Sequence, residues 1–290
     1  MTPLFARLTV AGVGLVGGSL AGAVRSARLA GEVVGFGRSA ANLRVARERG
    51  LVDRATQDPA EAVADADAIV LAVPVGTCPA LAERFRAHAR AGTILTDVGS
   101  VKAGLVRALE ARWSGVGPVV GAHPIAGSES TGAGAARAEL FQGRRCILTP
   151  IPGTDPTALA RVRALWEGVG ARVEEMPPAV HDELLARASH LPHVVACALA
   201  AAVDGTQVDG RVVLDYAGSG FRDTTRIAGS PAELWRDIAL ANAPALVAAL
   251  REFRAALDRL EGAIASDDAP ALEAALTLAQ AVRRRLGRTE

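Results

Sequence analysis

The stretch LTVAGVGLVGGSLA, residues 8–21, decides the fold. A short apolar run breaks at Gly12, Gly14 and Gly17, then resumes with the spacing of a helix. A strand that ends in G-x-G-x-x-G and opens a helix is the context a dinucleotide site requires. The first glycine permits a tight turn, the second lets the backbone approach a pyrophosphate, and the third lets helix and strand pack closely. Free N–H groups and the positive dipole at the helix start then face the phosphates. The competing reading is an ordinary glycine turn in a chain rich in alanine and glycine. Against it stands the position of the motif on the first strand of a long alternating series.

That series supplies strand candidates at 8–11, 33–36, 68–73, 93–98, 119–121, 146–149 and 172–175. Helical patterns lie between them at 15–28, 40–49, 80–89, 101–111 and 157–169. Such alternation predicts a mainly parallel sheet covered on both faces. After Met176-Pro177-Pro178 the strand signals stop and helix-compatible sequence runs to the end. The expected architecture is an α/β Rossmann-like dinucleotide-binding domain over 1–177 and an all-α domain over 178–290. Leu246, Leu250, Phe253, Leu257, Leu260 and Ile264 recur at steps of four and three, an apolar stripe on one long helix.

Composition narrows the function classes. The chain has 290 residues, half of them hydrophobic, which is ample for two cored domains. A net charge of +1, no long basic tract, and only one Tyr, six Phe and three Trp give no footing for nucleic acid or an anionic membrane surface. Cys78, Cys146 and Cys197 are too few and too dispersed for a disulfide framework or a cysteine-based metal centre, and they fit a reducing compartment. The opening MTPLFARLTV lacks the layout of a secretory signal, and the longest clean apolar run, 194–203, is too short for a bilayer. A cytoplasmic location is expected, with no nucleic-acid or membrane partner.

The end of the second strand bears on the choice of dinucleotide. An acid there ordinarily bonds the ribose hydroxyls. Here VGFGRS, residues 34–39, places Gly37 at that point, followed by Arg38 and Ser39. A cation and a hydroxyl suit a 2′-phosphate, so NADP is favoured over NAD. The alternative makes Arg38 a solvated surface residue and Ser39 a cap for the helix starting near Ala40. Further cofactor contacts are expected from Leu15 and Val16 after the glycine turn, and from Val73 and Pro74 after the strand at 68–73.

Three segments bring reactive groups to places where a parallel sheet opens. In TDVGSVK, residues 96–102, Ser100 is placed either to cap the next helix or to touch a ligand. In GAHPIAGSE, residues 121–129, His123 ends a strand and can take a proton near neutral pH, with Glu129 close behind. In SHLPH, residues 189–193, His190 and His193 are three apart and can share a helix face. Five histidines offer no evident third and fourth zinc ligands, so no metal is expected. In GSGFRDTTR, residues 218–226, Arg222 and Arg226 are four apart, a pair suited to carboxylates or to surface ion pairs.

Taken in order, GVGLVGGSLA, DVGSVK, HPIAGSESTG, LFQGRRCILTP, SHLPH and GFRDTTRIA resemble the prephenate/arogenate dehydrogenase family of tyrosine biosynthesis. The resemblance runs from about Leu8 to beyond Trp235. It implies oxidative decarboxylation of a cyclohexadienol with hydride transfer to NAD(P), and a helical half that forms a homodimer. It further implies His123 as the base, Ser100 as its helper, and His193 and Arg226 as holders of substrate carboxylates. His190 would support His193, Glu129 would help gate the pocket, and Trp235 would pack beside the substrate or in the core. Prephenate is the expected substrate and arogenate the alternative. A hydroxyacid dehydrogenase using a helix-borne lysine is a poor fit, because Lys102 is the only lysine. A non-catalytic dinucleotide sensor would need no base at the pocket.

Overall fold

A computed structural model describes residues 2–127 and 130–286. Eight strands form one sheet: β1 (Phe5–Ala11), β2 (Ala30–Phe36), β3 (Arg54–Thr56), β4 (Ala68–Leu71), β5 (Ile94–Asp97), β6 (Val119–Pro124), β7 (Arg145–Thr149) and β8 (Arg172–Glu175). Their order is β3-β2-β1-β4-β5-β6-β7-β8. The first six strands run parallel, with Leu8 of β1 registered between Val33 of β2 and Ala68 of β4. β4 shows why the alternating pattern gives this sheet. Ala68 and Val70 join the core on one face, Ile69 and Leu71 the core on the other, so the strand reads as an unbroken apolar run. The chain order reverses between β1 and β4, the crevice where open α/β sheets collect ligands.

Three features depart from the expected pattern. β3 was not anticipated; it is three residues long, pairs only with β2, and shows too little alternation to register. β7 runs antiparallel to β6, and β8 follows β7 in parallel, so the far edge of the sheet is turned over. The half expected to be wholly helical contains a small hairpin, Gln207–Val208 against Arg211–Val212. Asp209 and Gly210 both take positive φ, 51° and 73°, as a tight Asp-Gly hairpin turn demands.

Helix follows β8 almost at once. Pro178–Leu185, a π-turn at Ala186–His190 and Leu191–Val203 run on as one 26-residue helix, apolar and long enough by composition to cross a bilayer. It nevertheless carries His181, Asp182, His190 and His193, all buried in the protein. Compact clustering places residues up to Ala243 in one unit and Pro244–Glu290 in another. The expected 177/178 boundary marks where the large sheet stops, while the compact unit extends through the helices that meet it. The second unit holds the helix Ala243–Ala265 from Pro244 onward and the helix Ala269–Leu286.

Candidate active site

The glycine turn is shaped by two different constraints. A Cβ on Gly12, whose φ is +98°, would lie 2.3 Å from the Ala72 carbonyl oxygen, and one on Gly17 would lie 2.0 Å from that of Gly12. Both positions exclude any side chain because of the protein's own packing. Gly14 is different: a Cβ there meets nothing within 4 Å. Gly14 is also the N-cap of the helix Leu15–Ser26, which has no side-chain cap for its first N–H groups. That cradle fits a pyrophosphate. Val73 and Pro74 follow β4 beside it, Val73 lying within 2.9 Å of where a Gly12 Cβ would be. Leu15 is buried and Val16 half-buried.

At the end of β2, Ser39 caps the next helix, its Oγ accepting the Asn42 N–H at 3.2 Å. Arg38 is exposed, and its carbonyl accepts a 2.6 Å hydrogen bond from Gln57 Nε2. The capping role weighed for Ser39 is therefore present.

His123 sits at the carboxyl end of β6 with 8% exposure. Its Nδ1 lies 2.8 Å from His181 Nε2, and His181 Nδ1 lies 2.8 Å from Asp182 Oδ1. The protons in this chain follow from its chemistry. A carboxylate only accepts, so His181 carries a proton on Nδ1, and in its neutral form it presents a lone pair at Nε2. His123 must then donate from Nδ1, which leaves the lone pair on Nε2. That nitrogen has no partner among the described residues. Burial holds His123 well below the usual imidazole range, with the Lys102 ammonium and the neighbouring imidazoles pushing the same way. The result is a neutral base of defined tautomer.

Asp182 has a second task. Its Oδ1 accepts the Lys102 N–H at 2.7 Å and its Oδ2 the Ala103 N–H at 2.8 Å, capping the helix Ala103–Trp113 from a distant segment. Ser100 was expected to be able to cap this helix and does not; the N-cap residue is Lys102. Burial opposes the charge on Asp182, but hydrogen bonds from His181 and the two amides outweigh it and lower its pKa. Ser100 is half-buried, and its backbone faces His190.

Asn242 joins the remaining histidines to this chain. Its Nδ2 donates to the Asp182 carbonyl at 2.8 Å and lies 3.1 Å from His190 Nδ1. Burial pushes His190 down to about 4 and also lowers His193. The His193 ring stacks on Trp235 at 3.5 Å, with the planes 7° apart, and His190 meets the same indole edge-on at 6.2 Å. His190 Nε2 and His193 Nδ1 are buried without a hydrogen-bond partner among the described residues. Beneath His123, the buried Lys102 ammonium pairs with Asp97 and donates to the Ala122 carbonyl at 2.8 Å. Asp97 also accepts the N–H groups of Gly99 and Ala122, at 2.7 and 3.2 Å.

The structure thus gathers His123, Ser100, His190, His193 and Trp235. Arg222, in the helix Ser219–Thr225, and Arg226, opening the next 3₁₀ turn, stand exposed rather than in this buried cluster. Glu129 lies outside the described residues. His181, Asp182, Asn242 and the Asp97–Lys102 pair were not anticipated.

A sequence model of the prephenate dehydrogenase nucleotide-binding domain matches residues 20–175, and one of that enzyme's dimerization domain matches residues 177–278. The chain belongs to the prephenate dehydrogenase family. Cyclohexadienyl dehydrogenase of Zymomonas mobilis is 38% identical over 91% of this chain and 90% of that one. Prephenate dehydrogenase of Bacillus subtilis is 32% identical over 90% of this chain and 71% of its own length. Among solved structures, Aquifex aeolicus prephenate dehydrogenase in complex with hydroxyphenyl propionate and NAD+ superposes with a TM-score of 0.91 at 32% identity, covering 97% of this chain and 98% of that one. Synechocystis arogenate dehydrogenase gives 0.82 at 34% identity, covering 97% and 99%. As a prephenate dehydrogenase family member, the protein is an NAD(P)-dependent oxidoreductase whose later helices correspond to a dimerization domain.

Proposed function

We propose that the protein oxidises and decarboxylates prephenate to 4-hydroxyphenylpyruvate and carbon dioxide, with NADP+ preferred over NAD+. The observation that carries this reading is the Asp182–His181–His123 chain ending in a free Nε2 at the sheet edge, on the same edge as the open Gly14 cradle. The bound nicotinamide supplies the hydride acceptor, and Gly12, Gly14, Leu15, Val16, Gly17, Val73 and Pro74 are the residues to hold the dinucleotide. His123 Nε2 takes the ring hydroxyl proton as the carbinol C–H is lost as hydride. The C–C bond to the ring carboxylate then breaks with loss of carbon dioxide, its electron pair entering the ring to give a phenolate that takes the proton back from His123. Positive charge forming on His123 is balanced through His181 by Asp182.

The other residues have binding and orienting roles. Ser100 assists at the hydroxyl. His193 and Arg226 hold substrate carboxylates, with His190 and Arg222 in support. Trp235 forms an apolar wall, and Glu129 attends the entrance. Arg38 and Ser39 receive the 2′-phosphate, for which the missing acid at Gly37 leaves room. Arogenate is the second reading, favoured by the cyclohexadienyl and arogenate dehydrogenases among the relatives.

The decisive assay crosses prephenate and arogenate with NAD+ and NADP+ and follows reduced cofactor by absorbance. Turnover of prephenate, faster with NADP+, is expected. A clear preference for NAD+ would overturn the cofactor assignment, and no turnover in any pairing would overturn the reaction.

A further inference from the structure

The segment TDVGSVK carries two charged residues that the proposed reaction does not use, Asp97 and Lys102. Among the 32 lysine and arginine residues Lys102 is the one lysine, and its side chain, like that of Asp97, is fully buried. The two pair directly. Asp97 Oδ2 also accepts the Gly99 N–H at 2.7 Å, and a Cβ on Gly99 would lie 2.9 Å from that oxygen. The pair then reaches across to both backbone polar groups of a single residue on β6. Asp97 Oδ1 accepts the Ala122 N–H at 3.2 Å, and Lys102 Nζ donates to the Ala122 carbonyl at 2.8 Å. Ala122 immediately precedes His123.

The sheet explains why these groups are needed. β5 and β6 pair only through Leu95 with Val119 and Thr96 with Val120. From Gly121 to Pro124, β6 is paired with β7 alone. A buried N–H and C=O without a neighbouring strand must find partners elsewhere. The carboxylate and the ammonium stand where that strand's carbonyl and amide would be. A compact ammonium gives separate donors to Asp97 and Ala122, whereas a guanidinium carries five donors in one plane. The same cation faces the base. Burial disfavours the His123 cation most, and Lys102, His181 and His190 around it add to the effect. The Cys146 thiol, which meets the His123 backbone, is held neutral by burial, and Asp182 stands behind His181.

We propose that Asp97 and Lys102 are a positioning pair that takes the place of a strand beside the end of β6, fixes the backbone carrying His123 and sets a positive charge behind its imidazole. The inference rests on the base role of His123 proposed above. Both residues act through the Ala122 backbone and through charge. A cation behind the imidazole keeps it unprotonated before turnover and favours return of its proton to the phenolate.

The test compares the full wild-type chain with Lys102→Met and with the double variant Asp97→Asn, Lys102→Met. The double variant leaves no unpaired buried charge, so it folds where the single variant fails to. Each keeps the backbone N–H of residue 102 that Asp182 accepts. Nitrogen NMR of labelled histidine follows His123 directly, its signals identified by their loss in His123→Asn. The His123 titration is expected to lie below about 6.5 in the wild type. It is expected to move up by about one unit in either variant. The acid limb of kcat/KM for prephenate should move with it. Misplacement of the base should lower kcat at least about tenfold, with KM changed by less than about threefold. Thr93→Val removes another buried hydrogen bond just before β5, 2.8 Å to the Ala66 carbonyl, and is expected to leave the His123 midpoint where it is in the wild type. An unchanged midpoint in the double variant overturns the inference, whether or not the chain turns over prephenate. A shifted midpoint in a chain that oxidises neither prephenate nor arogenate leaves the pair's role standing and removes the base reading.

Discussion

His123 and His190 are neutral in the folded protein because burial disfavours their charged forms. In the unfolded chain both titrate near the ordinary histidine value of about 6.5. Below that pH the unfolded state binds more protons than the folded one, so stability is full above about 6.5 and falls with pH below it. For His190 the loss continues to about 4. The melting temperature is expected to drop between pH 7 and pH 5, and His190→Asn to flatten that drop; an unchanged slope in the variant would contradict the assignment. The acid limb of kcat/KM should likewise lie below 6.5, where His123 remains a base. His123 is legible as a candidate because it ends a strand just before a proline. Its tautomer is not, since that depends on Asp182 and His181, 58 residues away in sequence.

At the scale of elements, the helix Pro178–Val203 illustrates what periodicity hides. Nine residues at about 100° each put positions 181 and 190 on opposite faces of a regular helix. The π-turn at Ala186–His190 changes that phase, and both histidines reach the Asp182–Asn242 network. The sequence shows SHLPH but not the phase shift, so His181 escaped notice. The Asp-Gly turn at 209–210 is a hairpin signal set within helical spacing. The helix Ala103–Trp113 is capped by a carboxylate 79 residues beyond its first residue, which no local pattern encodes. Asp182→Ala removes that cap and strands the His181 Nδ1–H. The expected loss is roughly 2–4 kcal/mol, the sum of a lost cap and one buried unpaired donor. Chemical denaturation measures it, and a loss under about 0.5 kcal/mol would contradict the dual role of Asp182.

For the whole molecule, the strand–helix alternation suffices to predict the Rossmann-like sheet and its crevice between β1 and β4, because their order follows from right-handed crossovers. Assembly is less directly encoded. Phe253, Leu257 and Ile264 on one helix and Leu276, Leu278 and Val282 on the next are exposed in the single chain. All but Val282 lie within residues 177–278, the region matching the dimerization domain. Light scattering is expected to give twice the chain mass, and Leu257→Glu with Ile264→Glu to shift it toward one; a monomeric wild type would contradict a homodimer. In the proposed mechanism neutral His123 removes the hydroxyl proton while hydride leaves the ring. Its most direct test is His123→Asn, with turnover and cofactor affinity measured on the same preparation. Turnover is expected to fall at least about a hundredfold, with the cofactor dissociation constant unchanged. Turnover within a few-fold of wild type would contradict it.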